Sequence, residues 1–144
     1  MAVMISENFD VRELVHPNIY NHPNIGDRCA DWLHINLAPT LEAIRANFVE
    51  VITVNDWHRG GIFKSSGLRD RRDPVGGEYS SHYHGVAADC KFKRNTPKQI
   101  FDEIMKNQKK YPFITRIENI NATPSWLHIE VGRGRIGNII VFSP

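Results

Sequence analysis

What most constrains the fold is the order in which the chain's apolar patterns change. Helical spacing comes first. Three short apolar runs, "FITRIENI" (113–120), "SWLHIEV" (125–131) and "GNIIVFS" (137–143), then crowd the end with short connections between them. Each run has the length and the β-branched content of a strand. Helices first and strands later predict an α+β domain with a mostly antiparallel sheet flanked by helices, in preference to a doubly wound one. A length of 144 residues suits one domain, so residues 1–144 are expected to share a single core.

Earlier segments fill in this outline. "VHPNIYNHPNIGD" (15–27) carries two His-Pro-Asn units and reads as turns and a loop, because Pro and Asn punctuate structure. From Asp27 as cap, Leu33, Leu37, Leu41, Ile44 and Phe48 recur at helical spacing, and Pro39 is expected to kink or split that helix. "EVITVND" (50–56) and "GVAADCKF" (85–92) predict two more strands. Residues 57–79 between them are rich in Gly, Arg and Asp and predict a long loop, of the kind that is functional or disordered in compact domains. Thr96 caps and Pro97 starts a helix with Ile100, Ile104 and Met105 facing inward.

Bulk properties narrow the function. A formal net charge of +2 is too small to predict nucleic acid as a partner, which usually demands a dense basic patch. No stretch approaches the roughly 20 apolar residues of a membrane helix, and "MAVMISENFD" lacks the basic start and apolar run of a secretory signal. A cytoplasmic product is therefore expected, which something else must release if it works outside. Cys29 falls in a predicted helix and Cys90 closes a predicted strand, so two free buried thiols are expected rather than a bridge.

The chemistry concentrates in "SSHYHGVAADC" (80–90). His82 and Asp89, with His128 from "SWLHIEV", supply two imidazoles and one carboxylate, a common protein set for catalytic zinc that leaves a fourth position for water. Fully extended chain would hold His82 and Asp89 roughly 23 Å apart. Sharing one ion therefore requires a bend, which Gly85 permits. Small Ala87 and Ala88 leave room for close packing beside it.

The pattern Ser80-x-His82-x-x-Gly85-x-Ala87-x-Asp89, followed by Trp126-x-His128, resembles the signature of zinc D-alanyl-D-alanine carboxypeptidases and related phage endolysins. That family shares its fold with the hedgehog signalling domain. The likeness extends over most of the chain, through "ENFDVRELV", "NLAPTLEAIRANFVEVITVND", "SSGLR" and "VGG". It implies a hedgehog/DD-peptidase-like fold, Zn2+ as cofactor and peptidoglycan stem peptides as substrate. Cleavage would fall at D-Ala-D-Ala or at the bond from L-Ala to a D-residue.

Residue by residue, His82, Asp89 and His128 match the zinc ligands, and Ser80 matches the motif serine that orients a ligand through a hydrogen bond. Arg69 matches the arginine that holds the substrate carboxylate or the scissile carbonyl, with Arg59 in "NDWHRGG" competing for that role. Trp126 is expected on the cleft wall. Where family members carry the general base, three or two residues before the last histidine, this chain has Ser125 and Trp126. Glu130 is the nearest carboxylate and shares a strand face with residues 126 and 128, so it stands as catalytic candidate. An equal reading has it hydrogen-bonding His128. Glu118 and His84 are further candidates for the base.

The resemblance thus predicts a monomeric zinc metallopeptidase acting on the cell wall, as a phage-type lysis enzyme freed by a holin or as a virion component. The alternative is a zinc-containing, inactive binding or virion structural module of the same fold, which the substitutions at Ser125 and Trp126 favour.

Overall fold

In a computed structural model, which describes residues 2–144, the central strand β4 (Leu127–Val131) sorts the domain into two sides. Side chains alternate along a strand. Leu127, Ile129 and Val131 are fully buried in the main apolar cluster, while His128 and Glu130 project from the other face. All five residues are buried.

Four further strands complete the sheet: β1 (Ile52–Thr53), β2 (Ala87–Phe92), β3 (Ile114–Glu118) and β5 (Ile140–Phe142). Their order is β1-β2-β4-β3-β5. The pairs β1–β2, β2–β4 and β3–β4 are antiparallel, as expected for a single α+β domain. The last strand departs from that pattern: β5 follows β4 in sequence but passes it by and pairs in parallel with the far edge of β3. No short parallel link is involved: β4 lies between β3 and β5 in sequence, so the chain reverses twice before β5 reaches the far side of β3. The pairing covers only three residues of register, Arg116 with Ile140 to Glu118 with Phe142.

Among the described residues, three α-helices accompany the sheet, α1 (Pro17–Tyr20), α2 (Leu37–Phe48) and α3 (Pro97–Lys106). Leu37, Leu41 and Ile44 from α2 and Ile100 and Ile104 from α3 join Leu127, Ile129, Val131, Ile114 and Ile117 in one core. The two longer helices therefore cover the apolar side of the sheet and leave its other side to loops and polar groups. Thr96 caps α3 as expected: its hydroxyl accepts from Gln99 N, while the Gln99 side chain accepts from Thr96 N.

The helix expected from Asp27 to Phe48 is split, but not at Pro39. A 3-10 segment, Gly26–Trp32, is separated from α2, and Pro39 lies in the first turn of α2. A proline there forfeits no internal hydrogen bond, because first-turn N–H groups have no helical acceptor. The stretch expected as loop around 15–27 also holds the short α1, capped by His16 Nδ1 accepting from Asn18 N. No helix among the described residues is long and apolar enough to cross a membrane. Cys29 and Cys90 are free and buried, and burial pushes their thiols up to about 11 and about 12.

The long segment from 57 to 79 is a loop, yet it is firmly tied. Leu68 N donates to the Leu14 carbonyl at 2.7 Å, and His16 N donates to the Leu68 carbonyl at 2.9 Å. Gly67 passes so close that a Cβ there would lie 2.2 Å from the Leu14 carbonyl oxygen. This pinned stretch runs along the polar side of the sheet, where it meets the residues of the metal motif.

Candidate metal centre

Ser80 caps a 3-10 turn, Ser81–His84, by accepting from His82 N at 3.3 Å. Gly85 ends that turn at φ +68°, with its Cβ position 2.1 Å from the Trp32 carbonyl oxygen, so glycine is required twice over. The reversal folds His82 back over β2, where Asp89 sits directly opposite His128 in the β2–β4 register. A turn, a glycine and one cross-strand pair thus bring together the three residues that the motif singled out.

Their ligand atoms converge. His82 Nε2 lies 3.2 Å from His128 Nδ1 and 3.3 Å from Asp89 Oδ1, and His128 Nδ1 lies 2.8 Å from Asp89 Oδ1. Ligands about 2.05 Å from a tetrahedral zinc stand roughly 3.3 Å from one another, so the spacing suits one small cation. His82 is 2% and His128 6% exposed.

Proton accounting supports the same fit. His82 Nδ1–H donates to the Gly67 carbonyl at 2.9 Å, which can only accept, so Nε2 carries the lone pair. Burial holds the His82 pKa below its ordinary value and favours this neutral form. His128 Nε2–H donates to Glu130 Oε1 at 3.0 Å, and Ser81 Oγ donates to the same oxygen at 2.8 Å. With both outer nitrogens committed, two imidazole lone pairs and the Asp89 carboxylate face each other. Such a cluster of acceptors needs either a proton or a cation. Burial works against a charge on His128, but hydrogen bonds to Asp89 and Glu130 overcome it and lift its pKa to about 9. Asp89 is held below the usual carboxylate range, against its burial, mainly by the His82 and His128 rings. His82, Asp89 and His128 therefore form a group that can hold a metal ion.

Arg69 is 8% exposed and committed to the surrounding framework. Its Nε donates to the Ser65 carbonyl at 2.5 Å and Nη1 to the Val75 carbonyl at 3.1 Å, while Nη2 lies 3.4 Å from Asp89 Oδ2. It steadies Asp89 and the loop together, and it also borders the cavity in front of the His82, Asp89 and His128 group. Arg59, expected at the substrate, instead pairs with Glu13 Oε1 at 3.3 Å and stands apart from the residues that line this cavity. Trp126 lines it as expected and is 37% exposed, while His84 is exposed on the turn and outside the lining.

The cavity has a volume of about 520 Å3. A neighbouring groove of about 360 Å3, bounded by Ile62, Phe63 and Val75, shares Arg69, Asp89 and Trp126 with it. Lys91 forms the floor of that groove: Nζ donates to the Val54 carbonyl and Ser66 Oγ and lies 4.1 Å from the Phe63 ring centre.

Two carboxylates flank the ligands and differ in environment. Glu130 Oε1 takes the His128 and Ser81 donors and Oε2 takes Arg116 Nη1 at 3.3 Å, so the catalytic candidate of the sequence is bound up as the partner of a ligand. Its pKa stays low despite burial, chiefly through the His128 and Ser81 hydrogen bonds. Glu118 lines the cavity with one oxygen 4.0 Å from His128 Nδ1, and burial raises its pKa, with the Asp89 and Glu130 charges adding to the effect. A one-residue shift in β3 register between Ile114 and Arg116 aligns Arg116 and Glu118 with the polar side. Gly67, Ser81, Arg116 and Phe142, whose ring lies edge-on to His128 at 5.6 Å, carried no signal of their own in the sequence.

Fold and site thus define a single α+β domain with a candidate metal centre on the polar side of its sheet. Comparison of the chain with family models, curated proteins and solved structures finds no match.

Proposed function

We propose that the chain is a zinc-dependent peptidase of the hedgehog/DD-peptidase kind, acting on peptidoglycan stem peptides. The observation that carries the reading is the juxtaposition of three convergent donors with an open cavity and Glu118 on its wall. The Ser80 to Asp89 and Trp126-x-His128 pattern supports the family, the metal and the substrate class. Two imidazoles and one carboxylate are a donor set suited to zinc, with a position left for solvent or substrate. A lysis enzyme of phage type fits the same pattern.

The chemistry a zinc ion supplies in such a site is polarisation of a carbonyl and a lowered pKa for water. The remaining work belongs to this chain's own residues. Glu118, which lines the cavity 4.0 Å from His128 Nδ1, accepts the proton of the attacking water and returns it to the leaving amine. Burial raises its pKa, the direction that suits a group which must both take and give a proton. Glu130 fixes the His128 tautomer, Gly67 fixes that of His82, and Arg69 steadies Asp89. Trp126 walls the cleft between cavity and groove.

The reading is tested by incubating zinc-loaded protein with purified peptidoglycan and following both turbidity and released peptide termini. Clearing with new amino termini is the expected result, and Glu118→Gln abolishes it. Intact wall from every type offered would overturn the peptidase and leave the alternative, a zinc-containing binding or virion structural module, for which the substituted Ser125 and Trp126 speak.

A further inference from the structure

Thr123 is 7% exposed and carries a buried hydroxyl with no hydrogen-bond partner among the described residues, and it lies on the wall of the metal-side cavity. A buried hydroxyl left unpaired destabilises a folded chain, so its persistence beside an open cavity points to a partner that arrives from outside. Two cations border the same space. The Arg116 guanidinium stacks 4.2 Å over the Phe142 ring and spends only Nη1 on Glu130, leaving further N–H donors. Arg133 lines the cavity from the exposed connection between β4 and β5. Arg69, the arginine that the motif assigned to the substrate, is already held by Ser65, Val75 and Asp89.

We propose that Thr123, Arg116 and Arg133 form a subsite for a substrate carboxylate. A hydroxyl donor and two planar guanidinium groups suit that anion, and Arg116 is held in place by Phe142 and Glu130 before any ligand arrives. The apolar groove of Ile62, Phe63 and Val75 lies outside this subsite and takes an uncharged part of the same ligand. The carboxylate has two possible sources: the free end of a peptide, or an acidic residue within it. The inference rests on the peptidase reading only in taking a peptide as the ligand.

Binding is measured by calorimetry on zinc-loaded Glu118→Gln protein, so that no turnover is required. One probe pair is acetyl-L-Lys-D-Ala-D-Ala and its C-terminal amide. The other is L-Ala-γ-D-Glu-L-Lys amide and the same peptide with its glutamyl carboxylate amidated. The subsite predicts that one pair shows at least tenfold tighter binding of the carboxylate form, and which pair does so identifies the source. Thr123→Val and Arg133→Gln each weaken that form by about fivefold or more while leaving the amide unchanged. Thr123→Val also leaves the melting temperature equal or higher, which separates a lost contact from a damaged fold. Equal affinity within both pairs, no detectable binding of either carboxylate peptide, or variants that bind as the parent does would each overturn the subsite. Intact wall in the turbidity assay, with the carboxylate preference retained here, would sink the peptidase reading alone.

Discussion

Glu130 and His128, two residues apart on one strand, are joined side chain to side chain, with Nε2 of the ring 3.0 Å from Oε1 of the carboxylate. This bond decides which nitrogen of His128 faces Asp89 and His82. It turns a glutamate that strand alternation placed beside the candidate metal site into a residue that acts through its histidine.

Glu130→Gln should therefore weaken zinc binding rather than remove the base. Partners of this kind are worth roughly ten- to a hundredfold in metal affinity. Competition with a chromophoric chelator would read the loss directly. An unchanged zinc affinity would show that the His128 tautomer is set by something else.

Glu118→Gln makes the opposite prediction. Zinc content and melting temperature stay close to the parent, because the carboxylate accepts no hydrogen bond from a ligand and sits 4.0 Å from His128 Nδ1. Hydrolysis falls by about 10²–10⁴-fold, the usual worth of a general base. Retention of activity would move the proton transfer to another group.

Gly85→Ala tests the bend that makes the site possible. At φ +68°, with the Trp32 carbonyl 2.1 Å from the added methyl, the substitution should lower stability by more than about 1 kcal/mol and weaken zinc binding together. Thermal melting with and without zinc measures both. Full stability in the variant would mean that the turn has a second way to form.

Glu50 governs acid stability far from the site. Burial opposes its charge, but the Asn95 side chain and the N–H groups of Asn95, Arg94 and Val51 hold its pKa down to about 2. A glutamate in the unfolded chain titrates near ~4.3. A depressed folded pKa contributes stability above ~4.3 that is lost as pH falls toward about 2. Melting temperature should drop through that window in the parent and drop less in Glu50→Gln. Parallel curves would remove Glu50 from the account.

Much of this was legible in residues. Thr96, Gly85 and the convergence of His82, Asp89 and His128 could be anticipated, because capping, left-handed backbone and a group able to hold a metal ion each demand particular side chains. Pro39 misled, since a proline in a first turn looks the same in sequence as one that breaks a helix. The parallel β5 was hidden because strand order depends on which edge of the sheet stays open, a property of the assembled layers. Arg69 was preferred over Arg59 only by its place in the motif, and the partners that claim each, Glu13 for Arg59 and the Ser65 and Val75 carbonyls for Arg69, are set by the fold. Gly67 contributes a carbonyl, which no side-chain pattern can announce. Glu118 entered only as a lesser candidate, because the register shift in β3 that aligns it with the site is a backbone feature.

The central claim is that His82, Asp89 and His128 hold one metal ion, and the most direct test is the zinc content of the parent and of His82→Gln after equilibration with zinc and desalting. His82 is the ligand to change, because removing His128 would strand the Asp89 and Glu130 carboxylates without their shared partner. The account predicts one zinc per chain in the parent and none in His82→Gln, with an unchanged circular dichroism spectrum. A parent that takes up no zinc, or a variant that holds it as tightly, would contradict the site.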